Sequence, residues 1–214
     1  MIKKIKVTAA EKIIFYFLIL LAIIFFSTFF IIKNKCLFVK NHNPQNIDFD
    51  KPNNIAILEA PCGNVIMELY PDVSPNSVKR FKKLIVSGSY KDIAFHRVIE
   101  NKLVQAGDLE FGKKKSLDYG RIGTGKSGLG TINSEIDNRF SFKKGSVGLA
   151  RTFKNDTEDS QFFIILQDEP LFEGEYTPVG KVLYGLEVLN KIKSQRHSEY
   201  ILRPDFIVSF KMLR

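Results

Sequence analysis

Phe95-His96-Arg97-Val98-Ile99, followed within a few residues by Leu103-Val104-Gln105-Ala106-Gly107-Asp108, reads as two short β-type runs, Ala94 to Ile99 and Leu103 to Ala106. Arg97 stands inside an apolar run. If Phe95, Arg97 and Ile99 share one face by alternation, an always-charged guanidinium lies among hydrophobes, which is costly unless it is paired or lines a functional pocket. A structural salt bridge is the plain alternative. His96 points to the other face and is expected as a packed, hydrogen-bonded histidine rather than a base. Asp108 has no companions, and no cluster of histidine and cysteine at ligand spacing occurs anywhere, so no metal and no cofactor is expected.

The pattern on either side is of further short β-type runs separated by turns. Ile55 and Ile57, then Val65, Met67 and Leu69, alternate around Pro61-Cys62-Gly63-Asn64 and predict a hairpin. Ser74-Pro75 supplies a helix start, with Ser74 as the N-cap, Val78, Phe81, Leu84 and Ile85 at helical spacing, and Gly88 as the stop. More β-type runs follow at 146–151, 161–166, 177–183 and 206–213, with a second helix at Leu186, Leu189 and Ile192. Strands that succeed one another without helices between them predict a mainly β domain, a closed antiparallel barrel with two helices over its open ends.

Toward the N-terminus, residues 13–32 (IIFYFLILLAIIFFSTFFII) are apolar or weakly polar throughout. At about 1.5 Å per helical residue such a run spans roughly the 30 Å core of a bilayer. A cleaved signal peptide normally has a shorter apolar region and a small-residue cleavage site, so an uncleaved transmembrane signal anchor is expected. The chain then divides into a short basic tail (1–12), the span (13–32), a flexible tether (33–53) rich in Asn and Pro, and one globular domain (54–214). Lysines before the span slightly exceed those after it, which places the N-terminus in the cytoplasm and the domain across the membrane. In a bacterium that is the periplasm, in a eukaryote a secretory lumen.

The net charge of +9 invites a nucleic-acid reading. Much of the lysine surplus flanks the apolar segment (Lys3, Lys4, Lys6, Lys12, Lys33, Lys35, Lys40), so anionic lipid is the better partner. Lys113, Lys114 and Lys115 read as a solvated loop without aromatic interleaving, and nucleic acid is not expected. With only two cysteines, Cys36 and Cys62, no disulfide framework carries the fold, and Cys62 reads as a turn residue.

Gly120-x-x-x-x-Gly125-Lys126-Ser127 satisfies the phosphate-loop pattern by letter. Its context fails. That loop needs a buried strand before it and a helix opening at Lys-Ser, whereas 113–118 is polar and Gly128-Leu129-Gly130 opens no helix. Nucleotide is therefore not expected, and the glycines predict a long irregular loop.

Ser160-Gln161-Phe162-Phe163-Ile164, preceded by Gly148-Leu149-Ala150, completes a set of separated motifs with the 95–99 and 105–108 stretches. Together they resemble the cyclophilin family of prolyl isomerases, over about Ile55 to Leu213. Gly174-Glu175-Tyr176-Thr177 is most similar to the shorter bacterial members, with tyrosine where many eukaryotic ones carry histidine. The resemblance implies an eight-stranded barrel, peptidyl-prolyl cis/trans isomerase activity, proline-containing polypeptides as partners and a monomeric domain.

Carried over by motif, it implies Arg97 as the catalytic arginine and Gln105 as the residue that orients substrate with it. The proline pocket falls on Leu103, Phe163, Phe172 and Tyr176, with Leu171 beside it. Ala150, Arg151 and Thr152 align the bound peptide, and Gln161 sits on the rim. Two positions depart from the family. Lys102 replaces a pocket phenylalanine, which favours the alternative of a non-catalytic proline-binding scaffold or chaperone. Leu171 replaces a tryptophan common in eukaryotic members, which implies weak cyclosporin binding.

Overall fold

A computed structural model describes residues 8–213, and the lysines of the basic tail before Thr8 lie outside them. The chain forms two compact units, residues 1–38 and 39–214.

In the first unit, α1 (Ala9–Lys33) begins with a reciprocal cap. The Glu11 backbone N–H donates to Thr8 Oγ1 (3.3 Å), and Thr8 N–H donates to the Glu11 carboxylate (2.7 Å). Ala9–Ile31 is long and apolar enough to cross a membrane, and a signal sequence meets the same test. Its described side chains are exposed on every face.

The second unit is mainly β. Its strands are β1 (Ile55–Ala60), β2 (Gly63–Leu69), β3 (Arg97–Ile99), β4 (Leu103–Ala106), β5 (Ser146–Leu149), β6 (Phe162–Ile165), β7 (Pro178–Tyr184) and β8 (Ser209–Met212). All ladders are antiparallel, in the order β3-β4-β6-β5-β7-β2-β1-β8. The expected closed barrel is corrected to a curled sheet: among the described residues β3 and β8, at its two ends, share no ladder. The segments preceding them meet through the bridge Ala94–Phe206 and the hydrogen bonds Phe95 N–H to Asp205 O and Ile207 N–H to Ile93 O, both 2.9 Å. Three-residue β3 is too short to run a ladder around the corner, so isolated bonds finish the turn.

The β1–β2 hairpin turns at Pro61-Cys62, with Ala60 opposite Gly63. Its inward residues Leu58, Val65, Met67 and Leu69 join a core in which Phe81, Tyr90, Phe162 and Phe210 pack ring against ring at 5.1–5.9 Å. Helix α2 (Pro75–Val86) buries Val78, Phe81, Leu84 and Ile85. Gly88 ends it at φ +70°, where a side chain would be strained. Ser74, the expected N-cap, instead turns its hydroxyl to Pro178 O. The helix start is capped from a distance by Glu135, which accepts from Asn76 N–H (3.1 Å) and Ser77 N–H (2.7 Å). A carboxylate there also opposes the positive end of the helix dipole. The second expected helix is one turn, α3 (Leu186–Leu189).

Residues 39–53, read from composition as part of a tether, lie against this unit. Asn64 N–H donates to Asn41 Oδ1 (3.0 Å), and Ile47 and Phe49 pack on Ile55, Ile57 and Ile66. Those three residues belong to β1 and β2 but cluster apart from the main core, so the arm supplies a small second layer. Neither cysteine is a free thiol.

Candidate active site

Antiparallel pairing of β3 with β4 sets Arg97 directly opposite Gln105, and β4 against β6 sets Gln105 opposite Phe163. Alternation does not put Phe95 on the face of Arg97, as the spacing predicts. Phe95 and Val98 both sit in the main core, because 93–95 pairs with 205–207 while 97–99 pairs with 103–105. The register breaks at His96, beyond which 97–98 meets 199–200 on one side and β4 on the other, so that Arg97 faces the cleft while Phe95 and Val98 face the core.

Arg97 Nη1 donates to Gln105 Oε1 at 3.1 Å, and Gln105 Nε2 donates to Gln161 Oε1 at 3.1 Å. Gln161 Nε2 in turn donates to the carbonyls of Gly123 (3.0 Å) and Gly125 (3.1 Å). Arg97, Gln105, Gln161, Ala150, Arg151 and Thr152 thus line one cleft of about 290 Å³. Tyr200, Gly123, Gly125 and Lys126 close its other wall.

The phosphate-loop letters have been put to a different use. Gly123 and Gly125 N–H donate to Asp108 Oδ2 (2.7 and 3.0 Å), Ser127 N–H donates to Asp159, and Lys126 Nζ donates to Thr157 O (2.7 Å). Three of the amides that a phosphate would need, those of Gly123, Gly125 and Ser127, are committed to the buried carboxylates of Asp108 and Asp159. Glycine is required at 125, because a Cβ there would fall 2.0 Å from Asp108 Oδ1.

Beside the cleft lies an apolar cluster of Leu103, Phe163, Phe172 and Tyr176, joined by Phe142. Phe163 meets Phe172 (5.4 Å) and Tyr176 (5.1 Å) edge-on, the geometry that aromatic quadrupoles favour. Ala150 belongs to both the cleft lining and this cluster, so the polar and apolar halves meet there. Arg151 braces the junction. Its guanidinium lies 5.1 Å over the Tyr176 ring and donates to the Glu175 carboxylate at 3.0 Å. Gly148 has no room for a side chain, since a Cβ would meet Phe163 Cζ at 2.5 Å.

Leu171 stands apart, 80% exposed on the short turn Pro170–Phe172. Lys102 is not a bare cation in the pocket: its Nζ lies 2.7 Å from the carboxylate of Glu169, which is nearly buried. Sequence reasoning missed Phe142, Tyr200 and Glu199. Phe142 lies in a stretch assigned to no element, and the 194–200 loop has no periodicity to flag the other two.

His96 is fully buried and faces Tyr200 at 6.5 Å between ring centroids. The hydrogen bond expected of it is corrected, for neither ring nitrogen has a well-formed partner. Burial pulls its pKa down to about 4, against the Asp108 charge and weaker polar contacts with the Ala94 backbone and the Gln161 amide. The unfolded chain therefore takes up this proton more readily than the folded one between about pH 6.5 and 4. Stability is full above that window and falls as pH drops through it, by roughly 3 kcal/mol. The expected result is that melting temperature declines less steeply from pH 6.5 to 4 in His96→Gln than in the wild type.

Comparison with known proteins identifies the family. Residues 55–212 match the family model "Cyclophilin type peptidyl-prolyl cis-trans isomerase/CLD". A probable peptidyl-prolyl cis-trans isomerase of Brucella suis is 40% identical over 160 residues, 73% of this chain and 81% of that protein. A peptidyl-prolyl cis-trans isomerase of Acinetobacter baylyi is 30% identical over 153 residues, 69% of this chain and 76% of that one. Among solved structures, a cyclophilin-type isomerase of Cryptosporidium parvum, crystallised in the presence of the dipeptide Ala-Pro, superposes with a TM-score of 0.64 at 26% identity. That match covers 74% of this chain and 98% of the other. The chain belongs to the cyclophilin-type peptidyl-prolyl cis-trans isomerases.

Proposed function

We propose that this chain isomerises X-Pro bonds in polypeptide clients at a membrane surface, with Arg97 as the catalytic group and Gln105 orienting substrate with it. An X-Pro bond turns slowly because rotation breaks amide resonance, a barrier of about 18–20 kcal/mol. Only contacts stronger with the twisted amide than with either planar form lower it. As resonance is lost the prolyl nitrogen becomes pyramidal and basic, so a guanidinium N–H aimed at it strengthens on the way to the transition state. The proline ring sits against Leu103, Phe163, Phe172 and Tyr176, while Ala150 to Thr152 align the peptide like an added strand and Gln161 borders it. No nucleophile enters the scheme.

The observation that carries this reading is the Arg97–Gln105–Gln161 chain along one cleft whose Ala150 edge abuts the aromatic cluster. Pairing of Lys102 with Glu169 weakens the case for a scaffold without turnover, because the substituted lysine has a partner of its own.

The N-terminal helix serves as an uncleaved anchor in lipid, with the N-terminus cytoplasmic and the isomerase domain, acting as a monomer, on the far side. An all-round apolar surface on α1 supports the anchor, and the oxidised state of both cysteines suits an oxidising compartment. Two measurements test the proposal. Full-length protein in detergent should accelerate cis/trans exchange of a proline peptide measured by NMR; absence of acceleration would remove the activity. In intact membranes the domain should resist protease added from the cytoplasmic side, and cleavage there would reverse the topology.

A further inference from the structure

The guanidinium of Arg97 has a second partner, outside the motifs quoted from the sequence. Nε and Nη2 both lie 2.7 Å from Oε2 of Glu199, which leaves Nη1 as the edge turned to Gln105. Glu199 is 102 residues further along the chain, and its position is set by backbone rather than by chance of rotamer. Val98 N–H donates to Glu199 O (2.8 Å), Ile201 N–H donates to His96 O (3.0 Å), and Arg97 bridges Tyr200. The main chain on both sides of Glu199 is therefore tied to the main chain on both sides of Arg97.

Resting on the assignment of Arg97 above, we infer that Glu199 is a positioning residue that holds the Nε–Nη2 edge of the guanidinium so that Nη1 faces the cleft. Arginine has several rotatable bonds to fix, so a side chain already held by two N–H bonds meets substrate with that ordering done in advance. A carboxylate so close also draws down the field of the guanidinium, which acts against catalysis. Glu199 is about half exposed (52%), and solvent screens its charge while leaving the hydrogen-bond geometry intact. Orientation is the larger effect. Glu199 itself does not line the cleft, so its influence on substrate passes through Arg97.

The test uses full-length protein in detergent and measures exchange of a proline peptide. Glu199→Ala lowers kcat about three- to tenfold with KM within about twofold, and Glu199→Gln, which keeps an acceptor oxygen, stays within about twofold of wild type. The Arg97 Nε–H, followed by ¹⁵N NMR, exchanges slowly with water in wild type and Glu199→Gln and fast in Glu199→Ala. A merely structural surface pair would shift melting temperature and leave this split unchanged. Unchanged or increased kcat in Glu199→Ala overturns the inference. Combined with Arg97→Ala, the Glu199→Ala change should have no further effect on turnover, and an additive loss would likewise overturn it. Retention of turnover by Arg97→Ala alone is a different failure, that of the catalytic assignment.

Discussion

Arg97→Ala is expected to lower kcat/KM for a proline-containing peptide by about tenfold or more while the protein stays folded. A charge-assisted hydrogen bond contributes roughly 1.5–3 kcal/mol, and about 1.4 kcal/mol corresponds to one decade in rate. Arg97 alone can therefore supply one to two decades, with more where the bound peptide excludes water. The apolar cluster must supply the remainder by desolvating and clamping the proline. The fold should tolerate the change, because the side chain is 29% exposed at the cleft rim and the carboxylate it leaves behind is solvated. Arg97→Lys should not restore activity. An ammonium lacks the planar fork that holds Glu199 on one edge and Gln105 on the other. NMR exchange measured beside a thermal melt separates lost chemistry from lost structure, and full turnover in a folded Arg97→Ala protein would refute the assignment.

The largest stability effect is expected at Asp108, which touches no substrate. Its carboxylate is fully buried and accepts four backbone N–H groups: Glu110 (3.2 Å), Phe111 (2.8 Å), Gly123 (2.7 Å) and Gly125 (3.0 Å). An ionised carboxylate is an acceptor on both oxygens. Asparagine of the same shape would aim its amide hydrogens at donors on one side, leaving two buried N–H groups without partners. At about 1–3 kcal/mol for each unsatisfied group, Asp108→Asn should destabilise the domain by about 2–6 kcal/mol, measured as a drop in denaturant midpoint with an unchanged slope. Activity should fall as well. The same carboxylate pins the Gly123–Gly125 loop, whose carbonyls hold the Gln161 amide and through it Gln105 and Arg97. A midpoint within about 0.5 kcal/mol of wild type, the range of an ordinary surface change, would show that the loop does not depend on that charge.

The apolar N-terminal helix, the strands and α2 were legible in the sequence because each is a local pattern. Length and apolar content define the helix of 9–33, period-two alternation defines β1 and β2, and helical spacing after Ser74-Pro75 defines α2. Arg97 was legible as a charge inside an apolar run, whereas Gln105, eight residues away on the adjoining strand, was singled out only through the family resemblance. Phe142 was not, since one buried phenylalanine between polar and basic neighbours has no period to betray it.

By itself, then, the chain's order of residues settled what each segment is: an apolar helix, short strands and the amphipathic α2. Three-dimensional packing alone decided what meets across long loops. It left β3 and β8 without a shared ladder, gave α2 its cap from Glu135 rather than Ser74, turned a phosphate-loop pattern into a cradle for Asp108, and delivered Glu199 to Arg97. Local periodicity follows from the backbone geometry of each element, so it is written into neighbouring residues. Contacts between exposed loop side chains depend on where two distant backbones come to rest, and that is fixed only when the whole sheet has curled.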